Sequence, residues 1–152
     1  MPAATEAFTT AGSTIAVVNE VPITFDDIGF EALTYTDVGE ITNLGEFGKE
    51  VTLVTHNPIA DRRIRKRKGS FNEGSISLEM ARLVSDAGQT ILNNGVDLDD
   101  SHSFKITLQD GTALYFTAQI MSFMTNLGDV DSITSASCTV EIDSAVVEVA
   151  PV

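Results

Sequence analysis

Along several short stretches of this chain apolar residues alternate with polar ones, and a period of two predicts strands rather than helices. Phe104, Ile106 and Leu108 alternate with Lys105, Thr107 and Gln109, and after Asp110-Gly111 the pattern resumes at Leu114, Phe116, Ala118 and Ile120. An Asp-Gly pair accepts the positive φ of both central positions of a type I′ turn, so a β-hairpin with a two-residue turn is predicted. Ala136, Cys138, Val140 and Ile142 form one face of a further strand, with Ser135, Ser137, Thr139, Glu141 and Asp143 on the other. Ile76, Leu78 and Met80 against Ser75, Ser77 and Glu79 make another. Val51 and Leu53 mark a fourth and Thr14 to Val18 a fifth. One apolar and one polar face per strand is the pattern of antiparallel sheets buried on one side.

The pattern changes in three places. Asp86 and Gln89 have capping-box spacing, Ala87 and Ile91 stand four apart, and Gly95 can close the end, so a helix is predicted over Asp86 to Asn94. A shorter helical piece is expected around Asp26 to Leu33. Between Asp37 and Lys49, Gly39, Gly45 and Gly48 recur irregularly and read as turns or bulged strand. The ends, 1–13 and the residues after Ser144, lack an amphipathic pattern and read as arms. The expected organisation is an arm at 1–13, one β domain at 14–147 and a tail at 148–152.

Length and composition fit that reading: 152 residues suit a single modest core, and 43% hydrophobic content excludes a disordered chain. No apolar run reaches the ~18 residues of a membrane helix. The N-terminus has neither the basic start nor the apolar middle of a signal peptide, so synthesis in a cytoplasm without export is expected. The one cysteine, Cys138, allows no intramolecular disulfide and reads as a buried small hydrophobe.

Charge adds something the periodicity does not. The chain has 9 Lys+Arg against 22 Asp+Glu, a formal −13, and six of the nine bases lie in one run: Arg62, Arg63, Arg65, Lys66, Arg67 and Lys68. Without that run 22 acids face three bases, a balance of −19. An acidic body with one basic element points to docking between opposite charges on different copies. Three uses of the run compete: a solvated loop, a nucleic-acid contact, or an arm reaching a neighbouring subunit with Ile64 as its apolar anchor. The acidic remainder and the absence of an aromatic in the run weigh against nucleic acid. Six like charges without partners also predict that the run is mobile before assembly.

Catalytic chemistry is not legible. His56 and His102 lack partners at triad or ligand spacing. The loop Asp97-Leu98-Asp99-Asp100 lacks the ligand pattern of a calcium-binding loop and reads as a solvated connector. Gly45 and Gly48 precede no Gly-Lys-Ser/Thr, and Ser101 beside His102 is adjacency without geometry. Neither an enzyme nor a cofactor is expected.

The stretches Gly29-Phe30-Glu31-Ala32-Leu33-Thr34-Tyr35 and Val38-Gly39-Glu40-Ile41-Thr42-Asn43-Leu44-Gly45-Glu46-Phe47-Gly48 resemble the tail tube (major tail) proteins of long, non-contractile-tailed bacteriophages. Ser85-Asp86-Ala87-Gly88-Gln89 and the last alternating strand are similar in kind and order, so the resemblance spans roughly Thr14 to Val147. It implies a mainly β chain: an antiparallel β-sandwich or barrel-like tail-tube fold with one flanking α-helix and a long β-hairpin loop. It also implies a structural virion protein whose hexameric rings stack into a tube that genomic DNA crosses on ejection, without specific binding. Partners would be further copies, together with tape measure, tail-tip and tail-terminator proteins, with no membrane, and the protein would reside in the virion tail. On this chain the hairpin loop would be His56 to Gly74, with Arg62, Arg63, Ile64, Arg65, Lys66, Arg67 and Lys68 as the inter-ring contact at its tip. Glu79, Glu141 and Asp143 would be the lumen-facing acids, repelling DNA phosphates so that the duplex slides. A tube component of a bacterial contractile secretion system is the alternative, and a nucleic-acid-binding module a more distant one.

Overall fold

The computed structural model describes residues 5–151; the first four residues of the expected N-terminal arm, and residue 152 of the tail, lie outside them. Along the chain run β1 (Thr14–Val18), α1 (Asp27–Glu31), β2 (Thr36–Asp37), β3 (Ile41–Asn43), β4 (Glu50–His56) and β5 (Arg65–Asn72). There follow β6 (Ser75–Ala81), α2 (Ala87–Gly95), β7 (His102–Thr107), β8 (Ala113–Asn126), β9 (Ser135–Ile142) and β10 (Val147–Val149). Eight strands form one antiparallel sheet in the order β2-β1-β7-β8-β9-β6-β3, with β10 added against β8, while β4 and β5 pair only with each other. The fold is mainly β, an antiparallel sheet curled into a half-barrel.

The curl follows from β8. Its first half pairs with β7, from Thr107↔Ala113 to His102↔Ala118, and its second half with β9, from Ala118↔Ile142 to Asn126↔Ser135. Neighbours so staggered along one long strand give the shear that curls a sheet. A bulge between Ile120 and Ser122 turns the strand further. The expected apolar faces meet on the concave side: Ile76, Leu78 and Met80 of β6, Phe104 and Ile106 of β7, Phe116, Ala118 and Ile120 of β8, and Ala136, Cys138 and Val140 of β9. Phe104 and Phe116 are direct cross-strand partners and stack at 5.4 Å. A smaller cluster of Phe30, Ala113 and Tyr115 forms where α1 and β10 cover the other side of β8's first half.

Four local features differ from the sequence reading. The β7–β8 connection is a three-residue loop: Gly111 N–H bonds Leu108 O at 3.0 Å, Leu108 N–H bonds Thr112 O at 2.8 Å, and only Gly111 has positive φ (+94°). Asp110 instead uses its carboxylate, which accepts from Thr112 N–H at 3.0 Å, and so avoids the left-handed conformation. The capping box of α2 is half made. Asp86 accepts from Gln89 N–H at 2.9 Å, but the Gln89 amide turns into the core and bonds Gly39 O, Ala81 O and Leu83 N–H. Gly95 is not a left-handed cap; α2 runs through it to Val96. Its missing side chain makes room, because a Cβ there would stand 2.5 Å from Ile120 Cδ1 and 3.1 Å from His102 Nε2. Finally, the residues after Ser144 are not a free arm, since β10 pairs Val147↔Tyr115 and Val149↔Ala113, across the boundary expected at 147.

Candidate assembly interface

The basic run lies on hairpin β4–β5, which begins at Glu50, six residues earlier than the expected loop, and is strand-paired along most of its length. The run is not confined to the tip: Arg62, Arg63 and Ile64 are there, while Arg65, Lys66, Arg67 and Lys68 lie in β5 opposite His56, Thr55, Val54 and Leu53. Valine and threonine in β4 favour the extended backbone, and pairing of the two strands sorts the charges. Period-two alternation puts Lys66 and Lys68 on the face of Thr55 and Leu53 and puts Arg65 and Arg67 on the face of His56 and Val54. Arg63, Ile64, Arg65 and Arg67 line one concavity together with Asp61. Among the described residues the only carboxylate in ion-pair reach of the run is Asp61, 3.8 Å from Arg65.

Every residue of β4 and β5 is exposed, Leu53 at 61% and Phe71 at 62% among them. Among the described residues nothing buries either face. The root is fixed by small contacts: Lys49 Nζ is 4.5 Å from the Phe71 ring centroid and 3.5 Å from Glu73. Such partly exposed pairs contribute about 0.5–1 kcal/mol each. Gly69, at the irregular pairing between Val51 and Leu53, lets the strands close, since a Cβ there would stand 2.8 Å from Val54 Cγ2. A lone two-stranded hairpin is marginal in water, and this one leaves Leu53, Val54 and Phe71 exposed beside its bases.

The three acids expected on a polar face do share one, though at different places. Ser75 pairs with Glu141 and Glu79 with Ser137, so Glu79 and Glu141 stand four residues apart on the exposed side of β6–β9, about 13 Å. Hydroxyls fill the space between them, with Ser77 and Thr139 3.4 Å apart. Asp143 follows at the end of that face, where its carboxylate accepts from Ser101 and Thr117. Glu46, Glu50 and Glu141 line a shallow cleft at the hairpin root. The basic run touches none of these acids within the subunit.

The sequence reading missed a second uncovered apolar surface, the β8–β9 loop, where Leu127, Val130 and Ile133 are 70%, 96% and 80% exposed. Their alternation with Asp129 and Asp131 is visible in the sequence but is too short to distinguish from an ordinary loop. Neither histidine is placed for chemistry: His56 is exposed on β4, and His102 is fully buried with Nδ1 3.2 Å from Asp100 O and Nε2 without a partner. Burial pushes the Cys138 thiol up to about 12, so no thiolate forms near neutrality. Among the described residues no three His, Cys, Asp or Glu side chains are grouped to hold a metal ion, and no helix is long and apolar enough to cross a membrane.

No protein-family model matches the chain, and no curated protein sequence does. Solved structures do match. A chain of the anti-feeding prophage baseplate, 6-fold symmetrised, superposes with a TM-score of 0.72 at 10% identity, covering 96% of this chain and 97% of that one. A chain from the sheath/tube terminator of the extracellular contractile injection system PVC, in its extended state, gives 0.68 at 12% identity over 96% and 99%. One from the tube-terminating cap of the anti-feeding prophage gives 0.64 at 13% over 97% and 94%. The chain therefore shares its fold with these baseplate, terminator and cap chains. The systems named are contractile injection systems, however, and not the non-contractile tails to which the sequence pointed first.

Proposed function

We propose that this chain is a structural subunit of the tube layer of a contractile, phage-tail-like injection apparatus. One observation carries the reading: the likeness to the anti-feeding prophage baseplate chain takes in 96% of this chain and 97% of the other. The uncovered hairpin and the small, hydroxylated outer face of β6–β9 support it, the first as a joining element and the second as a wall. In this reading copies close into rings, hexameric by the family resemblance, and the rings stack. Glu79 and Glu141 face the channel, with Asp143 at the end of the same face, and Arg62 to Lys68 belong to contacts between subunits.

The sequence resemblance favours a second reading, the tube of a non-contractile phage tail through which DNA leaves. Binding to a sheath protein encoded beside this chain separates the two. Purified protein, concentrated alone and with the neighbouring baseplate and sheath proteins, is expected to show rings or tubes with a central hole by electron microscopy. A strictly monomeric species under both conditions overturns the assembling reading. Duplex DNA is expected not to bind even at low salt; salt-sensitive binding would instead favour a nucleic-acid module.

A further inference from the structure

We propose that the arginine-lined tip of hairpin β4–β5 in one copy of this chain seats on the β8–β9 loop, residues 127–133, of a second copy, joining subunits head to tail. This rests on the assembling reading above and adds to it the partner surface. Three observations carry it, of position, chemistry and shape.

The first is position. The β6–β9 register runs from Ser75↔Glu141 to Ala81↔Ser135. The hairpin enters the sheet at Ser75 and the β8–β9 loop enters it at Ser135, so the two features stand at opposite ends of this strand pair, about 20 Å apart along it. Joining opposite ends is a heterologous contact, which repeats from copy to copy and produces rings or stacks. The other acidic loop, Asp97 to Asp100, leads into His102, whose partner Ala118 pairs with Ile142, at the end where the hairpin is rooted. A contact there would join hairpin-bearing ends and would not carry the repeat from one end of the sheet to the other.

The second is chemistry. The tip and the adjoining end of β5 present Arg63, Arg65 and Arg67 around one concavity with Ile64 among them, and Ile59 stands fully exposed nearby. The loop presents Asp129 and Asp131 among three exposed apolar side chains and contains no base. Guanidinium forks match carboxylates bidentately, and the apolar residues on each side give the charges a drier setting. Neither surface is covered by the described residues of its own subunit.

The third is shape. Asp129 Oδ1 accepts from Asp131 N–H at 3.0 Å and from Ser132 Oγ at 2.9 Å, and Gly128 takes a φ of +64° to begin the turn. The loop is thus preformed by its own hydrogen bonds, and seating a partner on it costs little further ordering.

The test is a chain carrying Ile64→Cys and Val130→Cys, since native Cys138 is buried and does not compete. Under mild oxidation at assembling concentrations, a ladder of dimers, trimers and larger species is expected on a non-reducing gel, whereas either single variant stops at dimer or below. A double variant that assembles in electron micrographs but gives no ladder, or a dimer only, overturns the head-to-tail contact and leaves the assembling reading standing. A second arm reverses charge. Arg63→Asp/Arg65→Asp and Asp129→Arg/Asp131→Arg should each raise the concentration needed for assembly about tenfold or more, and combining them should recover most of the loss. A loop-reversed chain that assembles like wild type, beside a hairpin-reversed chain that does not, overturns the seat on residues 127–133. A wild-type chain that stays monomeric with its apparatus partners present overturns both the contact and the function.

Discussion

Strands β6 and β4 are each seven residues long, and each reads in sequence as apolar alternating with polar. In the fold they end differently. On β6, Ile76, Leu78 and Met80 are at most 1% exposed, beneath the concave wall of the half-barrel. On β4, Val51, Leu53 and Val54 are 37%, 61% and 50% exposed, with only β5 beside them. Alternation reports that one face is to be covered; it does not report by what. The difference lies on the partner strand. Cys138 and Val140 face Leu78 and Ile76, whereas Lys68 and Arg67 face Leu53 and Val54. A base opposite an apolar residue cannot enter a core unpaired, so the pair remains at the surface.

The largest effects should separate these two regions. Phe116→Ala removes a fully buried ring that stacks on Phe104 and packs against Phe47. It should destabilise the monomer by about 3–5 kcal/mol, read from the denaturant midpoint. Phe71→Ala, on the hairpin, should cost no more than about 1 kcal/mol in the monomer, because the ring is mostly exposed and loses its contact with Lys49, and should act on assembly instead. Equal losses from the two substitutions would mean that the hairpin packs on the body after all.

Much of the body was legible in the sequence because its strands are long enough to show their period and their faces are cleanly divided. The positions of β1, β6 and β9 and the N-terminus of α2 follow from local pattern alone. What was not legible depends on distant neighbours. Gly95 looks like a helix stop, yet its role is to admit Ile120 from a strand 25 residues later. Asp110-Gly111 looks like a two-residue turn, and the side chain of Asp110, bonding forward to Thr112, selects the three-residue loop. The three residues of β10 are too few to show alternation and become a strand only because β8 extends past the end of β9. On the interface side the basic run was visible, but its division into an arginine face and a lysine face exists only once β4 fixes the register.

A smaller effect within the body tests how its open end is fastened. Gln89 is fully buried, and its amide bonds Leu83 N–H at 2.9 Å, Ala81 O at 2.9 Å and Gly39 O at 3.1 Å, joining α2 to the end of β6 and to the turn before β3. Gln89→Leu keeps the volume but removes these partners, and should cost about 2–3 kcal/mol, since each unpaired buried group carries a desolvation penalty. Assembly of the folded fraction should be unchanged, because none of these groups lies on hairpin β4–β5. A neutral result would mean that water replaces the amide at this end of the sheet.

The smallest effect concerns pH, and it too should be confined to the body. His102 is fully buried beside Gly95 and Ile120, its Nε2 has no partner, and burial holds its pKa below the ordinary histidine value, against a weaker opposing pull from Asp100. The folded chain therefore binds this proton less readily than the unfolded chain. Stability is fully present above the unfolded value of about 6.5 and is lost as pH falls from there toward the lower folded value. Most carboxylates titrate below about pH 5, so the slope of unfolding free energy between about pH 6.5 and 5 reports largely on His102. His102→Gln, which cannot take up a proton there, should flatten that slope, and Arg63→Asp/Arg65→Asp, on the hairpin, should leave it as in wild type. A slope that survives His102→Gln would show that the acid response of the body comes from elsewhere and that imidazolium is accommodated at this site without penalty.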